Sequence, residues 1–88
     1  MKPGVEILLL VQGFLSGQDQ SLSAVNRIER LLHEYFPESA ATEELEEALS
    51  LYRPGCVLPY YDVPEMIDSL RGAERSLSEL RFSHEGDE

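Results

Sequence analysis

The sequence predicts an all-α fold, a compact antiparallel four-helix bundle, and three observations support this prediction. Apolar residues recur at intervals of three and four, as on the buried face of an amphipathic helix. Proline, glycine and capping residues divide the 88 residues into four segments of helical length, and no stretch alternates as a strand does. The connections between segments are mostly short, which favours antiparallel neighbours.

The first two segments are bounded by residues with strong conformational preferences. Pro3 suits the first turn of a helix and Gly17 suits a left-handed cap, which predicts a helix over about residues 3–16. Its apolar residues cover nearly the whole circumference, so we expect it to be packed between other helices. Asp19 or Ser21 can cap a second helix, which Pro37 ends. The inward stripe of that helix is predicted to comprise Leu22, Val25, Ile28, Leu32 and Tyr35.

The second half of the chain contains two further predicted helices. Thr42 precedes acidic residues that suit a helix N-terminus, and this third helix is expected to run to about Tyr52. Residues 53–61 contain two prolines and a glycine and therefore form the longest loop. Asp62 begins a capping box with Glu65, which predicts the start of an amphipathic fourth helix.

Length and composition limit the class of protein. We predict a single helical bundle domain over residues 1–82 and a flexible acidic tail over 83–88, with no room for a deep substrate cleft. The single cysteine, Cys56, excludes an internal disulfide and favours a reducing compartment. The apolar run at residues 7–11 is too short to span a bilayer and directly follows Glu6, so we expect a cytoplasmic protein without membrane association.

Negative charge is concentrated in the middle of the chain. The whole sequence has a net charge of −10, and residues 31–70 hold nine acidic and one basic side chain, a net charge of −8. Such concentration steers association with a basic partner and disfavours direct nucleic-acid binding, because phosphates would be repelled. A charged face that only keeps the protein soluble is the simpler alternative.

The acidic region and its neighbouring tyrosines supply the candidate partner-binding residues. Tyrosine is enriched in interface hot spots, and Tyr60 has no predicted core role, whereas Tyr52 and Tyr61 are expected to be structural. The predicted partner-binding residues are Glu43, Glu44, Glu46, Glu47, Tyr60, Asp62, Glu65 and Asp68.

The sequence contains few residues arranged for catalysis. His33 and His84 have no partner at a recognisable spacing, and Cys56 lacks a neighbouring histidine. The Glu-x-x-His pairs of a di-metal bundle, a phosphate-binding glycine loop and an EF-hand loop are all missing from the sequence. We therefore predict a protein that is not an enzyme and that has no cofactor and no metal site.

The order and spacing of several segments resemble the colicin D immunity protein family. These segments are Phe14-Leu15-Ser16, Glu43-Glu44-Leu45 through Ala48, Tyr52 with Pro54, and Tyr61-Asp62 followed by a leucine-rich last helix. The resemblance covers most of the chain, although the loop at residues 53–60, apart from Pro54, and its cysteine do not match.

This resemblance implies a small acidic four-helix bundle that binds the nuclease domain of a tRNase-like bacterial toxin. Acidic side chains would stand in for substrate phosphates and cover the basic RNA-binding cleft, so that inhibition is stoichiometric. In this sequence the role would fall on Glu43, Glu44, Glu46 and Glu47, flanked by Asp62, Glu65 and Asp68. Two alternatives remain: an adaptor that binds through an apolar groove between helices, and a phage-type nucleic-acid mimic. The oligomeric state is not predicted.

Overall fold

The computed structural model describes residues 2–56 and 59–80. Regular secondary structure within these ranges is entirely helical, which confirms the predicted all-α class. The helices are α1 (Pro3–Ser16), α2 (Leu22–Tyr35), α3 (Ala40–Leu51), α4 (Val63–Gly72) and α5 (Glu74–Glu79). No helix of the described ranges is long and apolar enough to cross a membrane. The predicted tail, residues 83–88, lies outside the described residues.

Helix α1 has the predicted bounds but not the predicted environment. Pro3 occupies its first turn, and Gly17 adopts a left-handed conformation with φ 88°, while the Gln18 N–H donates to the Gly13 carbonyl at 2.9 Å. Only one side of the helix is deeply buried, and Leu9 is 52% exposed. Helix α1 does pack against α2, α4 and α5, but its outer side lies at the surface, contrary to the expectation of a helix packed between others. In a chain this small, each helix has a side that faces solvent.

Helix α2 begins at a side-chain cap. The Ser21 hydroxyl accepts a hydrogen bond from the Ala24 N–H at 3.1 Å, while Asp19 binds the Ser21 hydroxyl at 2.7 Å and so positions the cap. Tyr35, predicted to point inward, is 47% exposed instead. The chain leaves the helix there, and the neighbouring Phe36 is buried in its place.

Helix α3 begins three residues earlier than predicted, with Ser39 rather than Thr42 before its first turn. Ser39 is its N-cap and accepts from the Thr42 N–H at 3.1 Å. Thr42 itself is buried in the first turn, where its hydroxyl donates to the Phe36 carbonyl at 2.6 Å. Glu43 still lies in the first turn, at the positive end of the helix dipole, so the acidic residues indicated a helix N-terminus correctly although they misplaced its first residue.

The predicted fourth helix is divided into two at Ala73. The Ala73 N–H is shared between the carbonyls of Ser69 and Leu70, at 3.1 and 3.2 Å, and the chain then starts α5. Gly72, the last residue of α4, favours a break at this point, because glycine disfavours a helix interior by about 1 kcal/mol relative to alanine. Leu77, beyond the break, is buried like the core residues before it.

The helices share one hydrophobic core. The backbone of α1 lies against α2, α4 and α5, and the backbone of α3 lies against the same three helices. Tyr52 is fully buried at the end of α3, with its ring edge-on to Phe14 at a centroid distance of 5.4 Å. Its hydroxyl donates to the Gln20 carbonyl at 2.6 Å. Burial, with a smaller contribution from the charge of Asp62, raises the pKa of Tyr52. The structural role predicted for this tyrosine is confirmed.

Candidate protein-binding site

Four glutamates of α3 form the centre of the candidate site. The helix buries a stripe that includes Ala41, Leu45, Ala48 and Leu49, so the side chains between these positions point to solvent. We call the resulting exposed set, Glu43, Glu44, Glu46 and Glu47, the α3 acidic face. Its exposure agrees with the prediction.

No cation of the described ranges neutralises the α3 acidic face. The single ion pair among residues 2–56 and 59–80 joins Arg27 of α2 to Glu6 of α1 at 2.9 Å. Among the described residues, one side chain donates to a carboxylate of this face: the Ser76 hydroxyl, to Glu44 at 3.2 Å. Like charges one helical turn apart cost a few tenths of a kcal/mol per pair. Repulsion between these glutamates therefore lowers the stability of the fold slightly, and their carboxylates are accessible to a partner.

Asp62 and Glu65 have a structural function that the capping-box pattern predicted. The Asp62 carboxylate accepts from the N–H groups of Gly55 at 2.9 Å and Val63 at 2.8 Å. These two hydrogen bonds lower the pKa of Asp62, and the bond from Gly55 has the larger effect. The Glu65 carboxylate accepts from the Asp62 N–H at 3.0 Å. Both side chains are thus occupied in starting α4, whereas Asp68 is exposed and makes no side-chain hydrogen bond within the described ranges.

The loop before α4 is fixed at both ends and carries Tyr60 between them. The Tyr61 N–H donates to the Leu51 carbonyl and the Arg53 N–H donates to the Tyr61 carbonyl, each at 2.9 Å. Tyr60 is 42% exposed, and the Arg53 guanidinium carbon lies 5.9 Å from its ring centroid, at the outer limit of a cation–π contact. Tyr60 therefore presents an aromatic face at the surface, as its predicted role requires. Cys56, in the same loop, is also exposed.

The structure groups seven of the eight predicted residues into two sets, and the eighth, Asp68, lies further along α4. The four glutamates share the outer side of α3, while Tyr60, Asp62 and Glu65 lie together at the loop and the start of α4. No hydrogen bond or ion pair connects the two sets in the part of the chain that the structure describes. Nor do any three His, Cys, Asp or Glu side chains of that part lie where they could hold a metal ion.

The exposed apolar side of α1 was not predicted from the sequence. A shallow concavity of about 210 Å³ on this side is lined by Val5, Leu8, Leu9 and Gln12. A smaller groove of about 130 Å³ lies between α1 and α5, where Leu15 and Leu77 contribute to its lining. The signal was present in the sequence, since apolar residues on all sides of a helix cannot all be buried by a chain of this length.

The chain has no match among protein-family models, curated proteins or solved structures.

Proposed function

We propose that this protein is a cytoplasmic, immunity-type inhibitor that neutralises a basic nuclease toxin by covering its RNA-binding cleft. The observation that carries the proposal is the α3 acidic face, four exposed carboxylates without a cationic neighbour among the described residues. A lysine- and arginine-rich cleft would supply the missing counter-charges, and charge-assisted hydrogen bonds between such groups are strong. The resemblance to the colicin D immunity proteins points to the same class of partner.

The density of charge on α3 supports the idea that carboxylates replace phosphates. The four glutamates occupy five consecutive positions, which correspond to roughly 6 Å of helix axis. Duplex nucleic acid carries one negative charge per ~1.7 Å of its axis. A cleft built to hold phosphates would therefore meet a similar linear charge density on this helix.

The proposed architecture is an antiparallel four-helix bundle in which α4 and α5 together form the fourth member. Contacts between neighbours along the chain, together with the contact between α1 and α4, close a ring of helices. In that arrangement α3 and α1 lie on opposite sides, because their backbones do not approach each other within the described ranges. The α3 acidic face would then be presented on one side of a rigid support.

The proposal is tested with a basic nuclease toxin encoded in the same genome. We expect the purified protein to block cleavage of RNA by the isolated nuclease domain, with full inhibition reached at a fixed stoichiometric ratio. The association rate should fall steeply as ionic strength rises through physiological values. Undiminished cleavage at a stoichiometric excess of this protein, with every nuclease toxin of that genome, would refute the proposed function.

A second candidate function is an adaptor that binds a partner helix through the groove between α1 and α5. The apolar lining at Leu15 and Leu77 favours this alternative, and here the acidity would serve only solubility. Binding to such a groove should be nearly insensitive to salt, in contrast to the inhibitor. A nucleic-acid mimic would match the inhibitor in its salt response but would bind a DNA-binding protein rather than a toxin.

A further inference from the structure

The concavity on the outer side of α1 has the form of a packing site for one apolar side chain. Its lining residues, Val5, Leu8, Leu9 and Gln12, stand at positions i, i+3, i+4 and i+7 of the helix. Four residues in this relation make the hole that receives a side chain from a facing helix in knobs-into-holes packing. The surface thus fits a second helix that runs along α1.

The same surface also carries the side chain that such a hole accepts. Leu9 is 52% exposed, the most exposed large hydrophobic residue in the described ranges. An interface around a two-fold axis requires a surface that is complementary to itself, with the projecting group and its receptor on the same patch. Leu9 and the concavity meet this requirement on a single helix.

Charge distribution favours a second copy of this chain as the occupant. Glu6 is the only charged residue of α1, and its carboxylate already accepts from Arg27 at 2.9 and 3.0 Å. A pair of molecules of net charge −10 that meet through the outer side of α1 therefore brings no unpaired charge of that helix into the interface. The α3 acidic face does not lie against α1, so it would stay free in the pair.

We propose that two copies of this protein associate through α1, with Leu9 of each copy inserted into the concavity of the other. The assembly would present two acidic faces that point away from each other. The inference does not depend on the proposed inhibition, since it requires no toxin. Self-association and toxin binding should also respond to salt in opposite directions, because salt screens the repulsion between like-charged copies.

The test is the mass of the isolated protein in solution, measured by light scattering or sedimentation from micromolar to millimolar concentration. We expect a concentration-dependent rise from 9.9 kDa towards twice that mass, strengthened by added salt. Leu9→Gln should weaken the self-association by at least roughly tenfold, because each pair loses two buried leucine side chains. Tyr35→Gln is the matched control, since it removes a side chain of similar exposure, 47%, from α2 and should leave the association unchanged.

Two results would overturn the proposal. One is a wild-type protein that remains a monomer at every concentration and salt, which would leave the α1 surface to a different partner. The other is an association that Leu9→Gln leaves intact while circular dichroism shows that the variant is folded. Because Leu9 is half-exposed, its replacement should not unfold the chain.

Discussion

At the residue scale, the side chains that fix the ends of the helices were more predictable than those that form tertiary contacts. The Asp62 and Glu65 capping box follows from a four-residue pattern, and the structure contains it. By contrast, the bond from Tyr52 to the Gln20 carbonyl joins residues 32 positions apart, and no local pattern encodes it. The ion pair of Glu6 with Arg27 was missed for the same reason.

Tyr52→Phe should destabilise the protein by about 1 kcal/mol. The ring and its contact with Phe14 would remain, while the Gln20 carbonyl would lose its hydrogen-bond donor. Urea unfolding followed by circular dichroism measures the change in the free energy of unfolding. Tyr60→Phe provides the control, because that side chain is exposed and should change the free energy little. Equal effects of the two replacements would contradict the role assigned to the Tyr52 hydroxyl.

Asp62→Asn should destabilise the protein in a manner that depends on pH. The folded-state pKa of Asp62 lies below its ordinary value of 3.8, so the carboxylate contributes stability above that pH. This contribution is lost as the pH falls through the lowered folded-state pKa. The difference in unfolding free energy between wild type and Asp62→Asn should therefore be largest near neutral pH and shrink below about pH 3.8. Asp68→Asn is the matched control on α4, and a wild-type advantage over Asp62→Asn that stayed constant down to pH 2 would count against this account.

At the scale of helices, proline, glycine and capping residues predicted where a helix ends, but the sequence pattern did not predict where a helix is interrupted. Pro3 and Gly17 gave the bounds of α1 to the residue. Apolar periodicity, however, continued past Gly72 without interruption, so the sequence predicted one helix where the structure has α4 and α5. Periodicity reports which side is buried, and it does not report whether the backbone hydrogen bonds continue.

Replacing two glycines by alanine should change stability in opposite directions. Gly72→Ala should stabilise the protein by up to about 1 kcal/mol, because Gly72 lies in a helix and the added Cβ would meet no atom within 4 Å apart from its chain neighbours and the local helix backbone. Gly17→Ala should destabilise it by a similar amount, about 1 kcal/mol, since Gly17 has φ 88° and alanine is strained there. Thermal unfolding of both variants shows whether each replacement raises or lowers the stability. A destabilising Gly72→Ala would mean that the break at Ala73 is required by packing.

At the scale of the whole molecule, the α3 acidic face and the apolar outer side of α1 lie on different helices. The α3 acidic face and the uncharged outer side of α1 belong to helices whose backbones do not touch. Sequence counting located the acidic segment, since exposed glutamates are visible in a helical pattern. It did not locate the apolar surface, because which side of α1 remains uncovered depends on where the other helices pack.

The central claim is that the α3 acidic face is retained for binding, and the double variant Glu46→Gln/Glu47→Gln tests it most directly. The replacement keeps side-chain size and helix propensity nearly constant and removes mutual repulsion, so the free energy of unfolding should hold or rise by up to about 0.5 kcal/mol. Glu34→Gln/Glu79→Gln is the matched control, because it removes the same charge from exposed positions outside α3.

The deciding measurement is the affinity of these variants for the basic nuclease domain, taken beside their stability. We predict that Glu46→Gln/Glu47→Gln weakens binding by roughly 2–5 kcal/mol, partly through slower association at low salt, while the control binds almost as wild type does. A Glu46→Gln/Glu47→Gln protein that binds and inhibits the nuclease as well as wild type would contradict the account, and the acidic face would then be a solubilising surface only.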